Sequence, residues 1–412
     1  MILINMDSYL KAIKIRLYPN EEQEIYINSL IGSCRFVYNK LLEYKINKYN
    51  TEKKNVSFGE LGKYLVTLKT LPETSWLSKS HSKVLQQSLI NLDIAYKSFF
   101  KNGNGFPKFK SKKNNKQSCR FPIDAIGGVI GNRINIIKQL KDIHFKCSIR
   151  DEKHLNKYQD KIKSGTLTKN KSGEYYFSVL IEIPKITKKE LPKTTNEIGL
   201  DVGIHSFIVD SNNKHYENLK LIRTNEKRLK KLHRSISCKK LNSNNRQKAV
   251  IKLAKFHQKL SNIKNFYLHQ VSNEIIQDNQ LICVENLDIK NMMQNGNLAK
   301  SIGELSLFTF KSMLRYKCEW NDKILIEVDK YFPSSKLCSN CGNKNEFLKL
   351  QDREWKCCNC GTSHNRDFNA AKNILKEGRR LNLVGLSLPE FTLVDTKDNL
   401  VVETRKECKP LE

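Results

Sequence analysis

Four cysteines and three carboxylates carry the chemistry open to this sequence. The cysteines form Cys338-Ser339-Asn340-Cys341 and Cys357-Cys358-Asn359-Cys360, fifteen residues apart, with Gly342 and Gly361 trailing the two pairs. Each C-x-x-C turn aims two thiolates at one tetrahedral ion, so the two pairs predict a zinc site of Cys338, Cys341, Cys357 and Cys360. Four thiolates close the shell and leave no position for water, which gives zinc a structural role. A C-x-C pairing of Cys358 with Cys360 is the alternative ligand choice, and nearby His364 is surplus to a four-sulfur set. A redox dithiol fails on count, because that chemistry uses one C-x-x-C pair in a βαβ setting.

The carboxylates are spread along the chain. In residues 197–204 the apolar Ile198, Leu200 and Val202 alternate with Gly199, Asp201 and Gly203, so Asp201 sits on the opposite strand face, among glycines that leave room for a bulky ligand. Glu285 ends an apolar strand over residues 280–284. Asp367 opens a helix whose expected stop is Gly378. Singly, a capped turn accounts for Asp201 and an N-cap for Asp367. As a set, two strand positions and a helix start match a divalent-metal site for phosphodiester cleavage. There, two Mg²⁺ ions about 3.5–4 Å apart activate a water and stabilise the leaving oxygen. Asp201, Glu285 and Asp367 are the expected shared catalytic ligands, with no covalent enzyme intermediate.

The elements that must hold these groups are legible in outline. Ile13, Ile15 and Leu17 alternate with Lys14 and Arg16 as a half-buried strand, and residues 20–100 then carry helical spacing, first through Leu30, Val37 and Leu41, later through Val84, Leu89 and Leu92. Residues 101–116 hold six lysines with Gly103, Gly105 and Pro107, an irregular basic loop that either meets a phosphate backbone or is simply solvated. Alternating runs at 129–137, 143–149 and 175–183 predict a small antiparallel β barrel or sheet completed by the first strand. Lysine-rich residues 187–195 mark a boundary. In residues 223–264 fourteen Lys or Arg stand against one acid, Glu226, with Leu229, Leu232, Leu253, Phe256 and Leu260 at helical spacing, a basic helical hairpin. The candidate nucleic-acid contacts are Lys108, Lys110, Lys112, Lys113, Arg120, Lys227, Arg228, Lys230, Lys231 and Arg234.

Charge points the same way. The 412 residues include 73 Lys and Arg against 42 Asp and Glu, a formal net charge of +31. Self-repulsion on that scale serves no small-molecule substrate and is relieved by a polyanion. No run approaches the roughly 18 apolar residues of a membrane span, and residues 1–10 lack the pattern of a signal peptide. A cytoplasmic protein without membrane contact is expected, nucleoid-associated if prokaryotic. Seven of the twelve cysteines are scattered singly, as in a reducing compartment.

At this point the chain resembles a known family, the transposon-encoded TnpB proteins, relatives of the type V CRISPR effectors. The matching stretches are residues 11–19, Cys34-Arg35-Phe36-Val37-Tyr38-Asn39, residues 198–203, Val284-Glu285-Asn286-Leu287, Phe332-Pro333-Ser334-Ser335-Lys336 with the cysteines, and Arg366-Asp367-Phe368-Asn369-Ala370-Ala371. The resemblance implies a multidomain α+β fold: a wedge-like β barrel (1–19 and 101–190), an inserted helical recognition lobe (20–100), an RNase H-like (RuvC) α/β nuclease domain (197–330 and 362–380) interrupted by a zinc ribbon that binds the target (331–361), and a partly mobile tail (381–412). It further implies a guide RNA derived from the transposon end, double-stranded DNA as target, and Asp201, Glu285 and Asp367 as the catalytic carboxylates. Asn365 stands where the family often has Asp, which removes any auxiliary acidic role there. The alternatives are a nuclease-inactive guided DNA-binding repressor and a transposase or recombinase.

Overall fold

The computed structural model describes residues 8–113, 117–184, 195–294, 296–349 and 351–387. The lysine-rich boundary at 187–194, Lys116 and most of the expected tail lie outside them.

The N-terminal half begins with β1 (Ser8–Tyr18), which buries Ile13, Ile15 and Leu17 and turns Lys14 and Arg16 outward. Asn20 then caps the 32-residue α1 (Glu21–Glu52) in a reciprocal capping box with Gln23. Next come α2 (Phe58–Thr70), α3 (Ser82–Asn102), β2 (Gln117–Pro122), β3 (Gly128–Ile130), β4 (Arg133–Asn135), β5 (Ile143–Lys146), α4 (Ile149–Lys157), β6 (Ile162–Lys169) and β7 (Tyr175–Pro184). The strands form one antiparallel sheet in the order β2-β6-β7-β1-β5-β4-β3. The expected barrel is thus a half barrel: among the described residues its two edge strands, β2 and β3, do not pair. Residues 129–137 fold as a hairpin, because Gly131 takes a left-handed turn (φ 56°), and the run at 143–149 ends in the first residue of α4. Sheet and helices share one core.

In the C-terminal half, β8 (Glu197–Asp201), β9 (Ser206–Asp210) and β10 (His215–Glu217) form an antiparallel meander. The chain continues through α5 (Leu221–Thr224), α6 (Glu226–Ser237) and α7 (Asn244–Asp278) to β11 (Leu281–Glu285). It then passes α8 (Ile289–Met292), α9 (Gly296–Leu305) and α10 (Leu307–Trp320) to β12 (Ile324–Val328). β11 lies parallel between β8 and β12, so the sheet order is β10-β9-β8-β11-β12. The cysteine region closes with β13 (Glu354–Lys356) and β14 (Ser363–Asn365), and α11 (Arg366–Ser387) follows.

The period of two decides which face each residue serves. Ile198, Leu200 and Ile282 pack against α7 and α10, whereas Cys283 lies on the other side with Ile374 and Leu375 of α11. α11 can lie directly on that side because two glycines clear its path. A Cβ on Gly199 would run into the Ala371 carbonyl and stand 2.7 Å from the Leu375 nitrogen, and a Cβ on Gly378 would run into the Cys283 side chain. Both glycine expectations are therefore corrected. Gly199 makes room for a helix, not a ligand, and Gly378 is a packing residue inside a helix that runs on to Ser387, past the expected stop and into the stretch read as tail. Among the described residues no helix is long and apolar enough to cross a membrane.

Candidate carboxylate site and four-cysteine centre

The strand register assembles the first two carboxylates. Val284 pairs with Leu200 across the parallel β11 and β8, so the next residues, Glu285 and Asp201, lie side by side at the strand ends. By alternation they share the face of Cys283 and Gly199, the face under α11. Asp367 sits in the first turn of α11, one turn before Ala371, whose carbonyl rests on Gly199. The capping account of Asp367 falls to its neighbour: Asn365 Oδ1 accepts the backbone N–H groups of Asp367 and Phe368, both at 3.2 Å. The Asp367 carboxylate is thereby left for side-chain chemistry, and it takes Arg353 Nη1 at 3.1 and 3.3 Å. Glu285 accepts a short hydrogen bond from the Ser334 hydroxyl.

Burial, then the charges of Glu285 and Asp367, push the Asp201 carboxyl well above the usual carboxylate range, with Arg366 and Arg353 pulling the other way. Burial also raises Glu285, against the Ser334 hydrogen bond. Anionic groups that repel in a desolvated place are chemically a cation site. Among the described residues, though, the three do not close to single-ion spacing. The only set of three or more potential ligands whose atoms all lie within 4.8 Å of one another is Cys338, Cys341, Cys357 and Cys360.

The cysteine set is built from two matching knuckles. Gly342 N–H donates to Cys338 O at 2.8 Å and Gly361 N–H to Cys357 O at 2.9 Å, with both glycines left-handed (φ 76° and 70°). Sulfurs of opposite knuckles stand 3.6 Å apart in the pairs Cys338–Cys360 and Cys341–Cys357. That is far beyond a disulfide of about 2.05 Å and close to the edge of roughly 3.8 Å expected for thiolates around one zinc. A hydrogen bond with Thr362 holds Cys360 down to about 5, and burial pushes Cys338 up to about 11. Cys358 is exposed and outside the set, accepting from Asn343 Nδ2 at 3.3 Å. His364 is buried with Nε2 3.0 Å from Cys338 Sγ, a hydrogen-bond partner of the sulfur and not a fifth ligand.

All ten candidate nucleic-acid residues are exposed, but several have intramolecular work. Lys110 Nζ lies 3.9 Å from the centre of the Tyr38 ring, Arg228 stacks 4.4 Å over Phe256, and Lys230 pairs with Glu226 at 3.3 Å. The basic hairpin is present as α6 and α7, held by Leu229, Phe256 and Leu260. Sequence reasoning missed the roles of Ser334 and Arg353. Ser334 lies in the stretch Phe332-Pro333-Ser334-Ser335-Lys336, but nothing local links either residue to a carboxylate.

Three family models match the chain: a "Helix-turn-helix domain" over residues 6–54, a "Probable transposase" over 178–296, and a "Cas12f1-like, TNB domain" over 308–374. The first of these covers β1 and the single helix α1, so its described residues form a strand and one helix. A Streptomyces pristinaespiralis protein called "Putative RNA-guided DNA endonuclease" is 33% identical over 380 residues, covering 92% of each chain. The Escherichia coli K12 protein "Putative RNA-guided DNA endonuclease InsQ" is 28% identical over 91% of this chain and 94% of its own. In fold, the chain is similar to the protein of a cryo-EM Cas12f1-sgRNA-target DNA complex, with TM-score 0.54 and 14% identity over 90% of this chain and 99% of that one.

Proposed function

Since the chain belongs to the TnpB-like family of RNA-guided DNA endonucleases, we propose that it cuts double-stranded DNA by metal-dependent phosphodiester hydrolysis at Asp201, Glu285 and Asp367. One observation carries this reading: two adjacent strand ends and the first turn of α11 bring three carboxylates to one face, where Asp201 feels the charge of both others. A three-strand meander continued by two parallel strands supports an RNase H-like, RuvC-type domain.

The three carboxylates would hold two Mg²⁺ ions, which when bound supply an activated water and charge at the leaving oxygen. The chain's own part is to gather the carboxylates and aim them. Arg353 supplies counter-charge to Asp367, Ser334 fixes Glu285, and Asn365 caps the start of α11 so that Asp367 need not. The four cysteines hold a structural zinc, for which their sulfur spacing and closed shell are suited. An RNA guide, derived from the transposon end, reads the target by base pairing, and the protein grips backbone through surfaces such as α6. The net charge of +31 supports that division of labour.

The test is co-expression with the flanking transposon end, sequencing of co-purified RNA, and Mg²⁺-dependent cleavage of a matching duplex. Bound RNA is expected, with cutting reduced more than about 100-fold in Asp201→Ala, since even outer-shell changes at metal sites cost 10–100-fold. Bound RNA without cutting by the native chain would point to a guided repressor, and guide-independent strand transfer to a recombinase. Either outcome overturns the proposal.

A further inference from the structure

Two buried asparagines of α11 join the cysteine centre to the carboxylates. Asn369 is 1% exposed and Asn373 4%, one helical turn apart on the same side of the helix. Asn369 accepts the Ser339 N–H at 2.9 Å and donates to the Leu337 carbonyl at 2.7 Å. Asn373 donates to the carbonyls of Leu337 and Ser334, each at 2.7 Å. The two amides therefore grip the backbone on both sides of Cys338, and Asn373 also grips Ser334, whose hydroxyl holds Glu285. The same helix carries Asp367 in its first turn. Packing alone does not ask for this, because apolar side chains would fill the space without the desolvation that a buried amide costs. What amides add is fixed geometry between the partners they satisfy.

We infer that Asn369, Asn373 and Ser334 are positioning residues that lock the Cys338 knuckle to the carboxylate site, so that the zinc centre sets the affinity of the carboxylates for Mg²⁺. The inference rests on the reading of the two metal sites given above. Coupling between binding sites is reciprocal, so Mg²⁺ must also tighten the hold on zinc.

The experiment uses the full chain with its bound RNA. It reads zinc content, the Mg²⁺ concentration that half-saturates the Mg²⁺-induced rise in Tm, and the rate at which a chromophoric chelator extracts zinc. Ser334→Ala and Asn373→Ala are expected to keep one zinc per chain while half-saturation moves up about 10–100-fold, and Ser334→Thr, which keeps the hydroxyl, to behave as the native chain. Saturating Mg²⁺ should slow zinc extraction from the native chain several-fold and from Ser334→Ala clearly less, since only the route through Asn369, Asn373 and Asp367 then remains. Unchanged half-saturation in Ser334→Ala, or zinc extraction indifferent to Mg²⁺, overturns the coupling. If Asn373→Ala fails to fold, Ser334→Ala, which removes a single oxygen, and the native extraction rates still decide. A native chain whose Tm ignores Mg²⁺, as that of Asp201→Asn is expected to do, would overturn the carboxylate reading itself and the coupling with it.

Discussion

At Asp201 the fold holds a carboxyl against its own preference. Its native pKa lies above the value near 3.9 of an unfolded aspartate. The folded chain therefore binds that proton more tightly than the unfolded one, and stability falls as pH rises from the ordinary value through the raised one. With a chelator present at neutral pH, Asp201→Asn, which cannot ionise, should have a Tm about 2–4 °C above the native chain, a shift of order 1 kcal/mol for a domain of this size. The gap should narrow on acidification, and Mg²⁺ should raise the Tm of the native chain alone. Thermal melts at pH 5 and 7.5 check this; equal Tm values for the two chains at both would contradict the raised Asp201 carboxyl, which burial and then the neighbouring carboxylates produce. Asp201 stood out in the sequence because strand alternation sets it opposite Ile198 and Leu200, and Glu285 because it ends the apolar run Leu281–Val284. Ser334 and Arg353 did not, since their partners lie 49 and 14 residues away and only the folded chain brings them together.

At the scale of elements, the interface between β8 and α11 decides whether the carboxylates meet. Gly199 faces backbone, the Ala371 carbonyl and the Leu375 nitrogen, which cannot rotate aside as a side chain could. Gly199→Ala should therefore push α11 away, destabilise the domain by about 1–3 kcal/mol as overpacked sites do, and weaken Mg²⁺ binding through the displaced Asp367. Urea unfolding and the Mg²⁺ dependence of Tm test the two effects separately, and an unshifted midpoint would contradict the packing. The sequence marked Gly199 as special through its neighbours but could not tell a ligand from a helix, because both need the same missing Cβ. Likewise Gly378 reads locally as a helix end and is buried against Cys283 for a reason that lies on another element. Strand β1 was legible throughout, since Ile13, Ile15 and Leu17 declare one face without help from the rest of the chain.

Over the whole molecule, charge is the property that most separates this chain from an ordinary globular protein. Each phosphate contact contributes about 0.7–0.9 to the slope of log affinity against log salt. Replacing Lys227, Lys231 and Arg234 of α6 by Gln should lower that slope for the bound nucleic acid by about 2 and weaken binding without sequence preference. Filter binding across a salt series measures it, and an unchanged slope would assign the hairpin to solvent. The central place of β1 in the N-terminal sheet has a consequence for biosynthesis. Its long partner is β7, with Ser8 opposite Pro184 and Leu17 opposite Tyr175. Translation at about 5–20 residues per second leaves β1 without that neighbour for roughly 10–30 s after it emerges. Through that interval the hydrogen-bonding edge that β7 later fills stays open to other nascent chains, because the helices α1 to α3 made meanwhile share the core of the sheet and do not occupy that edge.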